Sequence, residues 1–165
     1  MDSMSHSVRP ATLADIPRIL ELVHALAAYE KAADQVEATE ADFEGVLFPA
    51  DGAPTVYAHV AELDGEVVGM AVWFLTFSTW TGTNGIWLED LFVDPEHRGT
   101  GLGRALLAAL ASECVSRGLR RLEWWVLNWN TPSIAFYESL GATPEDEWTT
   151  YRMSGDALAT LGAVN

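Results

Sequence analysis

Arg98-Gly99-Thr100-Gly101-Leu102-Gly103 stands after the apolar run Ile86–Val93 and the pair Asp94-Pro95, and opens the apolar-periodic stretch Leu102–Val115. The first run reads as an extended strand and the last as a helix. Alternating glycines at that junction bring bare backbone N–H groups and a helix N-terminus together at a strand's end. Such a nest is a ready site for a phosphate. The kind of phosphate it takes decides the function.

The chain around it has 165 residues, enough for one domain with a substantial core. An apolar content of 49% and a charged content of 20% are those of a folded protein. With 24 acidic and 9 basic residues, the net charge is −15. That balance argues against nucleic acid, which needs a basic face. It suits a small cationic ligand drawn in by the field. The single cysteine, Cys114, excludes an internal disulfide and fits a reducing compartment. It lies one helical turn after Leu110, as a buried small hydrophobe would. Neither a membrane-spanning apolar run nor a signal peptide is visible, so a cytoplasmic protein without membrane attachment is expected. His6, His24, His59 and His97 are scattered without ligand spacing, so no metal site is expected.

Met1–Ser7 reads as a flexible tail and residues 8–165 as one domain. Val8–Pro10 reads as a first strand. Thr12-Leu13-Ala14-Asp15 resembles a capping box with Asp in place of Glu. It precedes a helix with Ile16, Leu20, Val23, Leu26 and Ala27 on one face. Thr39-Glu40-Ala41-Asp42 repeats the signal for a helix to Leu47. Thr55–Leu63 and Glu66–Thr76 read as strands joined by Asp64-Gly65, a hairpin turn. Ile86–Val93 is a third long strand, Gly101–Arg117 a helix and Arg121–Leu127 a strand. Thr131 caps a further helix with Pro132 in its first turn, ending near Leu140-Gly141. Short strands over Thr143–Asp146 and Trp148–Met153 and a helix over Asp156–Leu161 complete the chain. The expected order is β-α-α-β-β-β-α-β-α-β-β, a mixed α/β layer on one sheet.

Three phosphate readings compete for the glycine run. A dinucleotide fold needs a third glycine where Arg104 stands, and needs the motif at a first βαβ unit. A P-loop needs a lysine after the glycines, and none follows. What remains is a pyrophosphate cradle of the acyl-CoA type, Arg-x-x-Gly-x-Gly.

At this point the chain resembles the GNAT N-acetyltransferases, within them the diamine/polyamine and thialysine branch. The residues that carry the resemblance run from Val8 to about Leu161. They are Arg9-Pro10-Ala11-Thr12, Tyr29-Glu30, Ser78-Thr79-Trp80, Leu88–Val93, Arg98–Gly103, and Trp129-Asn130 with Ile134, Phe136 and Tyr137. The resemblance implies a mostly antiparallel central sheet flanked by helices, acetyl-CoA as co-substrate, and a homodimer.

It also implies roles. Backbone groups of Leu91, Phe92 and Val93 would hold the pantetheine arm, and Arg98, Gly99, Thr100, Gly101, Leu102, Gly103 and Arg104 the pyrophosphate. Asn130 and Ser133 would contact the cofactor, and Tyr137 would aim its phenol at the sulfur. A phenol, with an ordinary pKa of about 10, can protonate a departing thiolate. Asn130 and Tyr137 are two helical turns apart and share a face. A primary amine with a pKa of about 10.4 costs about 4–5 kcal/mol to deprotonate at pH 7. Glu89 is the carboxylate implied to take that proton. Asp90, on the opposite face of a regular strand, would orient the substrate. Tyr29 and Glu30, at a helix C-terminus where a carboxylate is disfavoured, are implied to hold a cationic substrate. Glu123 and Trp125 would line the acceptor pocket.

Ser78-Thr79-Trp80 lacks the acid that spermidine-acetylating members carry there, which favours a thialysine, lysine-like or short diamine acceptor. Two other readings stay open: a non-catalytic acyl-CoA-binding module, and an acetyltransferase of protein amines.

Overall fold

The computed structural model describes residues 5–164. They fall into two compact units that divide between Trp125 and Val126. The first holds β1 (His6–Pro10), α1 (Ile16–Tyr29), α2 (Glu40–Leu47), β2 (Tyr57–Leu63), β3 (Glu66–Ser78), β4 (Thr83–Val93), α3 (Leu102–Arg117) and β5 (Leu122–Trp124). The sheet runs in the order β1-β2-β3-β4-β5. Its first three pairings are antiparallel and the last, β4 with β5, is parallel. This is the mixed, mostly antiparallel sheet expected. The tail was drawn too long: His6 and Ser7 already pair with Leu63 and Glu62. Met1–Met4 lie outside the described residues.

Local chemistry sets the starts of the helices. Asp15 Oδ2 accepts from the backbone N–H of Thr12 at 2.7 Å and from its hydroxyl at 3.0 Å. Asp42 does the same for Thr39, at 2.8 and 2.7 Å, so an aspartate serves where the box usually carries Glu. Asp15 has a second duty. Its carboxylate takes two guanidinium bonds from Arg9, at 2.7 and 3.0 Å, and Arg9 also grips Glu62 on β2. That fork ties the first helix to the sheet edge. The Arg9 hydrogen bonds hold the Asp15 carboxyl below its ordinary value against the opposing effect of burial.

Ile16, Ile19 and Leu22 of α1 pack with Leu47 of α2 against Ala58, Val60, Met70, Val72 and Phe92. The buried stripe is thus turned from the expected one: Ile19 is fully buried and Leu20 only half-buried. A 3-10 turn at Leu13–Asp15 delays the helix to Ile16 and sets its rotation. Helix α3 buries Leu102, Leu106, Leu107 and Leu110, none of which belongs to that cluster. Cys114 is buried on the same helix, its thiol 3.7 Å from the Arg121 carbonyl.

The decisive irregularity is in β4. Leu88 pairs with Trp73 and Asp90 with Val72, leaving Glu89 as an extra residue. Paired residues share a face, so Asp90 joins Val72 and Phe92 on the α1 side while Leu88 faces the other way. A regular strand would put Leu88 and Asp90 together. Pairing with β5 ends at Leu88–Trp124, one residue before this bulge. The expected strand Arg121–Leu127 is therefore only Leu122–Trp124.

The second unit holds α4 (Thr131–Ser139) and α5 (Gly155–Gly162). Its first helix is capped by Asn130, not Thr131: Asn130 Oδ1 accepts from the Ser133 N–H at 3.4 Å. The strands expected at Thr143–Asp146 and Trp148–Met153 do not form. Pro144 lacks a ladder donor, and Glu145-Asp146-Glu147 breaks any apolar alternation.

Candidate active site

Past Leu88, β4 has one bonded edge and one open edge. The Phe92 carbonyl faces β3, 3.1 Å from where a side chain on Gly69 would begin, and the Asp94 N–H donates to Val68 O at 2.8 Å. Leu91 and Val93, one step out of phase, turn their N–H and C=O groups to the opposite side. Among the described residues no strand pairs with β4 there. Exposed strand groups of this kind accept an extended amide chain.

This edge leads into the glycine turn. Gly99 and Gly101 have φ of 77° and 86°, left-handed values that side chains resist. A Cβ at either would meet open space, so the glycines serve backbone conformation rather than close packing. Gly101 is the N-cap of the 16-residue α3 and makes no side-chain cap bond. The first-turn N–H groups of Leu102, Gly103 and Arg104 and the helix dipole are thereby left to an anion. Thr100 Oγ1 braces the turn by donating to the His97 carbonyl at 2.6 Å. The residues present fit a pyrophosphate joined to an amide-bearing arm.

The Arg98 side chain has a seat that the sequence reading, which gave its residue to the pyrophosphate cradle, did not foresee. Its guanidinium lies 4.9 Å from the centre of the Tyr29 ring and 5.3 Å from that of Phe92. Its Nε donates to Val93 O at 3.1 Å, on the open edge itself. Tyr29, from the end of α1, is thereby brought to the cofactor strand.

Beside it, two carboxylates act on a third. Burial pushes the Asp90 carboxyl up to about 6, and the charges of Glu89 and Glu30 push in the same direction. Desolvation also raises Glu30. Asp90, read from sequence as an orienting group, is thus the most perturbed acid of the first unit. Glu89 sits on the bulge, exposed, accepting from Trp87 Nε1 at 3.0 Å. Trp125 meets the ring of that same Trp87 edge-on at 5.0 Å. Glu123 is not brought to this group. It lines a small polar recess with Thr76, Thr83, Asn84 and Arg121 under the β3–β4 hairpin.

In the second unit, Asn130 is buried at the start of α4. Tyr137 follows two turns along, its ring 5.5 Å from that of Phe136. The β4 bulge, the Arg98 seat and the coupling of Glu30 to Asp90 were missed by sequence reasoning. Their only trace is two adjacent acids inside an apolar strand.

The chain is similar to known proteins in sequence and in fold. The profile of the Acetyltransferase (GNAT) family matches residues 19–142. A thialysine N-epsilon-acetyltransferase of Bos taurus is 36% identical, covering 93% of this chain and 95% of that protein. An L-ornithine N5-acetyltransferase of Arabidopsis thaliana is 28% identical over 98% of this chain and 90% of its own. Among solved structures, an integron cassette protein from the mobile metagenome of V. cholerae superposes with a TM-score of 0.80. It covers 98% of this chain and 100% of its own at 24% identity, a likeness of fold.

Proposed function

Because the chain belongs to the GNAT acetyltransferase family, we propose that it moves the acetyl group of acetyl-CoA onto a primary amine of a small cationic substrate. The amine attacks directly in a ternary complex. The observation that carries this reading is the open edge of Leu91–Val93 running into the glycine turn at α3. The family match crosses the Trp125–Val126 division, which supports reading residues 8–165 as one catalytic domain.

Acetyl-CoA supplies an acyl group activated by a thiolate leaving group. The Leu91 and Val93 backbone holds its amide arm, and the N–H groups of Gly99–Arg104 with Arg98 hold its pyrophosphate. Asn130 and Ser133 are assigned to the arm from their sequence positions. Glu89 takes one proton from the acceptor ammonium, directly or through a water, freeing the nitrogen lone pair. Tyr137 Oη gives one proton to the departing sulfur and regains one from the nitrogen that becomes the amide, directly or through a water. Asp90 and Glu30 supply negative charge for a substrate's ammonium groups, and Tyr29 a ring face for one of them.

The acceptor class rests on two supports. The acidic trio and a net charge of −15 suit a cation. Thialysine and ornithine, named for the relatives, are both amino acids ending in a primary amine. The same reading makes the enzyme a cytoplasmic homodimer that uses neither nucleic acid nor membrane. Among the described residues no helix is long and apolar enough to cross a membrane.

Thiol release on mixing with acetyl-CoA and each of thialysine, lysine, ornithine, putrescine, spermidine and a peptide amine tests the proposal. Release with the small amines supports it. Release with the peptide alone favours a protein acetyltransferase. Acetyl-CoA binding with no release leaves an acyl-CoA-binding module.

A further inference from the structure

A cleft of about 350 Å³ opens at the far end of α3, lined by residues that the acetyl-transfer site does not use. Its walls are mostly apolar: Pro10, Leu47, Phe48, Pro54, Val56 and the rings of Tyr57 and Trp73. Glu113 and Arg117 also line it, paired with each other at 3.7 Å. They follow Leu102 by eleven and fifteen residues along the helix, about 16–22 Å at the helical rise. The cleft is therefore remote from the glycine turn.

One polar side chain in this wall has a donor that its packing does not use. His59, on β2, is only 6% exposed. Its Nδ1 accepts from Trp73 Nε1 at 3.1 Å. Nδ1 is then the bare nitrogen of a neutral ring, and Nε2 carries the hydrogen. Burial holds the ring below its ordinary pKa and keeps it neutral, although Glu113 pulls the other way. Nε2–H has no hydrogen-bond partner among the described residues, and it is not sealed in the core. An aliphatic residue here would leave the buried Trp73 N–H without an acceptor, so the fold uses Nδ1 and leaves Nε2–H to the cleft. The ring lines the cleft, and the cleft is where that donor is satisfied.

We propose that this cleft is a second ligand site, taking a small, neutral, planar aromatic molecule that carries one acceptor oxygen. Flat rings suit a lining that holds Tyr57, stacked on Trp73 at 4.5 Å, with two prolines and Phe48. The acceptor oxygen takes the His59 Nε2–H. Glu113 and Arg117 pair with each other and leave the cleft no net charge to offer a ligand, so the neutral ligand is favoured. The volume is at the low end for ligand sites and fits one or two fused rings.

Fluorine NMR of the full chain with three probes tests this: 4′-fluoroacetophenone, 1-ethyl-4-fluorobenzene and 4-fluorobenzoate. The ketone should bind saturably and about five- to tenfold more tightly than the ethyl analogue, the worth of one hydrogen bond. The benzoate should bind more weakly than the ketone. Val56→Trp, which fills the cleft, should abolish ketone binding and leave CoA binding unchanged. His59→Phe should bring the ketone down to the ethyl analogue's affinity. The comparison of ketone with ethyl analogue needs no variant, so it stands even if His59→Phe misfolds. No saturable binding, equal affinity for ketone and ethyl probes, or displacement of the ketone by CoA would each overturn the proposal. None of these outcomes bears on acetyl transfer.

Discussion

Arg98 Nε donates to the carbonyl of Val93 at 3.1 Å, so an arginine closes the strand edge on which the cofactor arm is proposed to lie. Its guanidinium rests on Tyr29 and Phe92 in the same pose. The terminal guanidinium nitrogens keep their donors in this pose and can take a phosphate oxygen. Arg98→Ala should therefore weaken CoA about 10- to 100-fold through loss of a phosphate cation. It should leave pantetheine binding unchanged or tighter, because the carbonyl is freed. Titration calorimetry with both ligands checks this, and parallel losses would contradict it.

Asp90 should set the acid limb of activity. Its carboxyl titrates at about 6 in the folded protein, and kcat/KM for the acceptor reports the free enzyme. That parameter should rise from pH 5 and level off above about pH 7. Asp90→Asn should remove the limb and raise the acceptor KM about tenfold or more, with CoA affinity unchanged.

Stability carries the opposite sign at the same residue. A carboxyl raised above its unfolded value of about 4 stabilises below that pH, and the contribution is lost as pH rises through about 6. Asp90→Asn should then unfold at higher urea than the parent at pH 8, by about 1–3 kcal/mol. At pH 4 the two should match. Equal stability at pH 8 would count against the burial of this charge.

Arg9 and Asp15 predict an acid-sensitive anchor. Asp15 is held below its ordinary value by Arg9, so its contribution is full above about pH 4 and lost as pH falls through the folded value. Asp15→Asn should cost about 1–3 kcal/mol at pH 7, allowing for the partial exposure of Arg9. The cost should shrink toward pH 2.5. Urea melts at the two pH values measure both.

Much of the frame was legible because it rests on local chemistry. The Thr12–Asp15 and Thr39–Asp42 boxes announced two helices. Asp64-Gly65, with φ of 50° and 86°, made the hairpin turn that its residue types require. Gly99 and Gly101 announced the left-handed turn. What stayed hidden depends on partners distant in sequence. The bulge at Glu89 exists only in the register between β3 and β4, and it moved Asp90 to the α1 side. Arg98 was read as part of the pyrophosphate cradle, and nothing adjacent in sequence shows that Tyr29 and Phe92 lie beneath its guanidinium. The last two strands, expected to complete the sheet, are defeated by Pro144 and its acidic neighbours.

The central claim is acetyl transfer to a small cationic amine. It is tested most directly by mass analysis of one reaction holding acetyl-CoA and equal amounts of thialysine, ornithine, putrescine, spermidine and a peptide. The account predicts a single acetyl group gained first by the thialysine or ornithine, with Tyr137→Phe slowing turnover far more than it weakens acetyl-CoA binding. Acetyl gained by the peptide alone, or by none of the five while acetyl-CoA still binds, would contradict it.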